Sequence, residues 1–251
     1  MIVYEYPFNE RVRSYLRLEY LLRRLDVLVQ RDTHVDHHFA ITTLFEVMDV
    51  ASRTDLKADL LKDLERQRQL FNAYRDSPMV AVDMLDKLIA QLDDAHTQLR
   101  EQNGKPSQLL LENEWLMAIR NRSGIPGGTC TFDLPSYHSW LHGSSQIRQA
   151  DLQRWMTPFG ALATALFLLL KLFRDAGTPQ KIAIARGHFQ QNLPHGRTYQ
   201  LLRLKLPDDT PLIPEISGNR LMISIRMLHK GENGQMILSQ EDGQYEMLLC
   251  A

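Results

Sequence analysis

The chain has 251 residues, with 29 Lys and Arg against 30 Asp and Glu and 44% hydrophobic residues. That ordinary globular balance excludes long disorder and wholesale polyanion binding. Two cysteines, Cys130 and Cys250, exclude a disulfide framework and suit a reducing cytoplasm. The N-terminal segment is charged and has no apolar h-region, so no signal peptide is expected, and the apolar run Ala161–Leu170 is too short to span a membrane and reads as a core helix.

In chain order, Ile2-Val3-Tyr4-Glu5-Tyr6 alternates and reads as a strand. From Asn9 to about Arg122 apolar residues recur every three or four positions, the period of amphipathic helices. Helices are predicted over 9–31, 36–51, 54–76, 79–102 and 107–122. The breaks fall at Ser77-Pro78, at Asn103-Gly104-Lys105-Pro106 and at the cluster Ser123–Gly128. Thr129–Phe132 is β-branched and alternating, which predicts a short strand near 129–133 that joins a sheet. Pro135 opens further helices over 135–143, 145–156 and 158–176, stopped by Gly177-Thr178-Pro179. The period then changes to two, with strands at 181–185, 199–206, 221–228 and 244–249 forming one small antiparallel sheet. The expected fold is α+β: a mainly helical domain over 8–177 packed on a β domain over 178–251, which strand 2–6 completes.

The near-neutral total hides segregation. Residues 11–31 carry six arginines against Glu19 and Asp26, while 32–116 carry nine basic and sixteen acidic residues. Residues 180–230 carry eight basic against three acidic residues, and 231–251 carry four acids and no Lys or Arg. If the basic set is contiguous it forms a docking site for something acidic. At 100° per residue Arg13, Arg17, Arg24 and Arg31 share one helix stripe with Tyr20, opposite Tyr15, Leu18, Leu22, Leu25 and Val29. Along Arg220–Met227, Arg220, Met222, Ser224 and Arg226 share one face and Leu221, Ile223, Ile225 and Met227 the other. Arg203 and Lys205 are separated from Leu202, Leu204 and Leu206 in the same way. The sheet is therefore expected to show a basic outer face. Arginine dominates it, and a planar guanidinium suits bidentate carboxylate or phosphate recognition.

Other motifs carry less. His34-x-x-His37-His38 and His138-x-x-x-His142 have metal-like spacing but lack a third ligand and a His-Glu-x-x-His frame, so no metal or other cofactor is expected. Ile125-Pro126-Gly127-Gly128 lacks the Gly-Lys-Ser/Thr tail of a phosphate loop and reads as a tight turn. Asp133, Ser136 and His138 have the residue types of a nucleophilic site, against which stands a simpler account, Asp133 or Ser136 capping a helix that begins at Pro135. No catalytic residues are assigned and an enzyme is not expected. Nucleic acid is the competing partner for the basic face, disfavoured because its outward positions interleave no aromatic rings.

Tyr6-Pro7-Phe8-Asn9-Glu10, Arg13-Ser14-Tyr15-Leu16-Arg17-Leu18-Glu19-Tyr20, and the block Ile125–Pro135 followed by His138, Trp140, Leu141 and His142 resemble the ZapD family. Leu201-Leu202-Arg203-Leu204, Ile216-Ser217-Gly218, Ile225-Arg226 and Glu232-Asn233-Gly234-Gln235 fit it too, so the resemblance runs nearly end to end. It implies a bacterial cytoplasmic division factor without catalytic activity, a symmetric homodimer that binds the tubulin-like FtsZ at the midcell Z-ring and bundles its protofilaments. It also implies that the short C-terminal tail of FtsZ enters an arginine-lined pocket. The positions that match are Arg226, Arg220 (a lysine in a relative), Arg17, Arg120, Arg122 and His138. Together with Arg203 from the basic strand, these are the candidate partner-binding residues. The resemblance departs at Glu114 and Met222, where arginines stand in the family pattern.

Overall fold

A computed structural model describes residues 1–52, 55–75, 81–102, 104–194 and 196–251. The fold is α+β, and its contacts divide the chain into a β unit, Met1–Arg13 with Leu170–Ala251, and a helical unit, Ser14–Leu169.

In the β unit, alternation of apolar and polar residues generates β1 (Ile2–Pro7), β2 (Thr178–Ile184), β3 (His188–Asn192), β4 (Leu201–Leu206), β5 (Leu212–Gly218), β6 (Met222–Lys230), β7 (Met236–Leu238) and β8 (Gly243–Cys250). They form two antiparallel sheets rather than the single one expected: β1-β4-β8-β2, and β3-β6-β5 with β7 also on β6. Short strands β3 and β7, and β5 with Pro214 inside it, carry too little period-two signal to be read from sequence. Ile182, Leu202, Leu204 and Met247 of one sheet and Leu212, Ile223, Ile225 and Met227 of the other fill one shared core. Tyr6 ties the sheets together: its hydroxyl donates to the Gly218 carbonyl at 3.0 Å and accepts from the Gly218 N–H at 3.1 Å.

The outer face of β4 is not an open basic surface. Register places Glu5 opposite Arg203 and Glu246 opposite Lys205. Glu5 accepts from Arg203 Nε at 3.0 Å and holds Arg174 through two contacts of 2.8 Å, and Lys205 pairs with Glu246. Cross-strand carboxylates thus neutralise the cations that alternation turns outward.

The helical unit contains most of α1 (Glu10–Val29), then α2 (His34–Ala51), α3 (Leu56–Asn72), α4 (Val82–Glu101), α5 (Gln108–Leu111), α6 (Glu114–Ser123), α7 (Pro135–His142), α8 (Ser145–Met156), and, after a 3-10 turn at Thr157–Phe159, most of α9 (Gly160–Asp175). Tyr15, Leu18, Leu22, Leu25 and Val29 are buried on the inner stripe of α1. The helix expected over 107–122 splits because the Asn113 side chain accepts from the Leu116 N–H at 3.0 Å and starts α6 afresh. The Ser77-Pro78 break, Asn103 and the first residues of the helices expected from 54 and 79 lie outside the described residues. The strand expected near 129–133 is a run of turns: Cys130 N–H bonds the Gly127 carbonyl at 3.1 Å, and the N–H groups of Asp133 and Leu134 both bond the Cys130 carbonyl. A positive φ of 69° at Gly127 begins the turns that override the local β propensity. The run Ser145–Asp175 is long and apolar enough to cross a membrane by length and composition, and Leu162, Ala165, Leu166, Leu169 and Leu170 within it are buried.

At the centre of this unit lies Arg148, 5% exposed. Its guanidinium donates to the carbonyls of Asp32 (2.7 Å), Leu141 (2.9 Å) and Gly143, and to Nδ1 of His37 (2.7 Å). Accepting through Nδ1 fixes His37 as the neutral Nε2–H tautomer, and burial, reinforced by the Arg148 charge, pushes its pKa below the ordinary 6.5. Arg148→Ala orphans several buried acceptors and is expected to lower unfolding free energy by ~3 kcal/mol or more in urea titrations, with Arg148→Lys recovering only part. Because His37 binds a proton more readily unfolded than folded, its contribution is complete above pH 6.5 and is lost as pH falls below that value. His37→Gln should flatten that slope in pH-dependent melts.

Candidate functional site

Of the four arginines expected on one outward stripe, Arg13, Arg17 and Arg24 lie on α1 and Arg31 follows its end, and three of the four are neutralised. Arg13 pairs with Glu10 at 2.9 Å, Arg24 with Glu46 at 2.6 Å and Arg31 with Asp36 at 3.1 Å. Arg17 makes no ion pair among the described residues. It edges a cavity of about 350 Å³ that Tyr20 and Leu21 of α1 share with Glu46, Asp49 and Val50 of α2. Both carboxylates there are engaged, Glu46 by Arg24 and Asp49 by Arg120 of α6. Tyr20, 65% exposed, lies under the Arg24 guanidinium at 5.7 Å.

The other candidates of the helical unit are held by neighbours. Arg122 pairs with Asp133 at 3.1 Å across the Gly-rich turn. His138 stacks on His142 with ring centroids 4.1 Å apart, and His34 lies 5.8 Å beyond His142. Neither Asp133 nor Ser136 caps α7, whose N-cap is Leu134: Arg122 holds the Asp133 carboxylate, and Ser136 Oγ accepts from Trp115 Nε1 at 3.1 Å. With those partners Asp133, Ser136 and His138 do not form a hydrogen-bonded nucleophilic relay. Among the described residues no group of three or more His, Cys, Asp or Glu is arranged to hold a metal ion. Sequence reading missed an aromatic cluster in which Trp115, Tyr137, Trp140 and Trp155 from three helices, α6, α7 and α8, pack with ring centroids within 6.0 Å, because no spacing rule links residues so far apart. Tyr137 also bonds His38 Nδ1 at 2.8 Å; burial raises the tyrosine pKa and lowers that of His38.

In the β unit, Arg203 is held by Glu5 as described, and Arg226 pairs with its cross-strand neighbour Glu215 at 2.8 Å in a half-exposed contact. Arg220 does not share a strand face with Arg226. Asn219 Oδ1 accepts from the N–H groups of Leu221 (2.8 Å) and Met222 (3.1 Å), an Asx turn that keeps Arg220 in the β5–β6 connection and leaves Leu221 exposed instead of facing the core. There Arg220 makes no ion pair among the described residues and edges a cavity of about 420 Å³ with Phe8, Leu193, Arg197, Tyr199 and Asn219.

The described residues define an α+β protein with an arginine-edged cavity in each unit. The family model for ZapD, described as a cell division protein, matches residues 16–226. The chain is 43% identical over its full length to a Cell division protein ZapD of Janthinobacterium sp. (strain Marseille), covering 100% of both chains. It is 45% identical to that of Ralstonia pickettii (strain 12J) and 47% identical to that of Chromobacterium violaceum, in each case over 100% of this chain and 99% of the relative. The chain belongs to the ZapD family of cell division proteins.

The Gly-rich turn that positions Arg122 leaves no room for a side chain at Gly128, where a Cβ would meet the Arg122 carbonyl at 2.5 Å and Ile125 Cβ at 2.9 Å. Gly128→Ala is expected to cost roughly 1–3 kcal/mol by thermal unfolding, since backbone must move; an unchanged melt would mean that the turn is slack.

Proposed function

We propose that this chain is a cytoplasmic adaptor that gathers at the midcell Z-ring, binds the C-terminal tail of FtsZ and, as a symmetric homodimer, bundles FtsZ protofilaments. Membership of the ZapD family supports the division role. The observation that supports the finer reading is that Arg17 and Arg220, in a set of candidate arginines otherwise held by carboxylates, make no ion pair among the described residues and each lines a cavity. A tail that mixes acidic and apolar residues suits either cavity: a carboxylate meets the guanidinium fork and an apolar side chain enters beside it. Arg226 can join by exchanging Glu215 for a ligand carboxylate, since that pair is half exposed. In the helical unit Arg120 is paired with Asp49, which lines the Arg17 cavity, Arg122 is paired with Asp133 and His138 presents a half-buried ring, while in the β unit Arg203 keeps a structural role on Glu5.

Exposed ion pairs contribute up to about 1 kcal/mol each, so one tail binds weakly. Bundling then follows from valency, because a dimer with two sites meets a filament that displays many tails. A fluorescent peptide copying the FtsZ tail is expected to bind at about micromolar affinity or weaker, to lose affinity as salt rises, and to bind Arg220→Glu and Arg17→Glu at least tenfold more weakly. Light scattering of assembled FtsZ should rise with wild type and not with either variant. Absence of binding to both peptide and filaments would overturn the reading, and tight, steeply salt-dependent binding of an oligonucleotide instead would assign the same cations to nucleic acid.

A further inference from the structure

The cavity beside Arg220 has features that neither the basic-strand pattern nor the family resemblance singles out. Among the described residues no carboxylate lines it, although two arginines do, Arg197 and Arg220. Its apolar wall consists of Phe8, Leu193 and Tyr199, the last two only 5% and 8% exposed. Arg197 lies over the Tyr199 ring at 5.3 Å, so the guanidinium rests on the aromatic wall with its edge available for hydrogen bonds. The three chain segments around the cavity are braced by hydrogen bonds to one another and to β8. Phe8 N–H donates to the Gln200 carbonyl at 3.1 Å, Gln200 N–H to the Cys250 carbonyl at 2.8 Å, and Leu193 N–H to the Leu221 carbonyl at 2.7 Å. Asn9 Nδ2 adds a 3.1 Å bond to Gln200 Oε1. A volume near 420 Å³ is in the range of pockets that enclose small ligands or single anchoring side chains.

We propose that this cavity is the anchoring pocket for the acidic, apolar tail peptide: an apolar side chain enters against Phe8, Leu193 and Tyr199, and the adjacent carboxylate is gripped by Arg197 together with Arg220. The proposal rests on the tail-binding reading and adds to it a specificity-determining residue, Arg197, and a requirement for an apolar residue next to an acidic one. Two cations with no acid among the described lining residues give the pocket an unbalanced positive charge, which selects an anionic occupant. The aromatic wall then discriminates among anions, since an acidic peptide without an apolar neighbour fills only half of the pocket.

The test is fluorescence anisotropy with the full-length protein and three peptides: the FtsZ tail, the same tail with apolar residues changed to Ser, and the same tail with acids changed to Asn or Gln. Wild type should bind the first and bind each altered peptide at least tenfold more weakly. Arg197→Glu should weaken binding of the intact tail at least tenfold, Arg197→Lys by roughly three- to tenfold through loss of the fork, and Lys230→Glu, at the opposite end of β6 from Arg220, not at all. Arg197 is exposed, so thermal melts of its variants should match wild type. Wild-type binding that Arg197→Glu leaves intact, or that Lys230→Glu weakens equally, would overturn the pocket while sparing the tail-binding reading. Equal affinity for the Ser-substituted peptide would overturn the apolar anchor. No wild-type binding to any tail would overturn both readings together.

Discussion

The helical unit depends on a buried cation satisfied by backbone. Arg148 bonds the carbonyls of Asp32, Leu141 and Gly143 and the imidazole of His37, so it links the α1–α2 connection, the first turn of α2 and the end of α7 from its own place on α8. A charge at this depth is tolerable only when its donors find acceptors, and a guanidinium is the side chain with enough donors in a fixed fork to do so. The consequence reaches His37, which must stay neutral to accept from that fork. The same node holds α7 beside α2, where Tyr137 meets His38 and His142 meets His34.

A second constraint decides which cations are available for binding. Arginine turned outward by helix or strand period is mostly met by a carboxylate: Arg13 by Glu10, Arg24 by Glu46, Arg120 by Asp49, Arg203 by Glu5, Arg226 by Glu215. A chain with 29 basic and 30 acidic residues can sustain such pairing widely. Period alone therefore overstates a basic surface, and the functional candidates are the cations left over. Arg17, Arg197 and Arg220 form no ion pair among the described residues, and each lines a cavity.

The long amphipathic helices were legible because burial enforces their period; α1 buries Leu18, Leu22 and Leu25 as the stripe requires. The β1 strand was legible too, though its pairing with β4 across some 200 residues of chain was only one option among several. What could not be read depends on groups distant in sequence. Glu5 opposite Arg203 is a matter of register, Asn219 holding Arg220 off the strand is a side chain outcompeting the ladder, and the turns at Thr129–Asp133 reflect Gly127 and Gly128 overriding β-branched neighbours. Arg17, Arg220 and Arg226 were named from pattern and resemblance. Arg197 was not, since a lone arginine between Gly196 and Thr198 carries no period, and only the fold sets it on Tyr199.

Pairing state also ranks the sites energetically. A ligand carboxylate arriving at Arg226 must displace Glu215 from a half-exposed contact, so one ion pair replaces another with little net gain. At Arg220 and Arg197 no such exchange is required, and the apolar wall contributes burial that an exposed fork lacks. Affinity should therefore concentrate at cavities and selectivity should follow shape as well as charge. Cations already paired with acids mainly tune the approach of an anionic partner through the surrounding field. Weak, shaped contacts of this kind suit the reversible cross-linking proposed above, in which each tail would leave quickly while a repeated array keeps a dimeric adaptor bound.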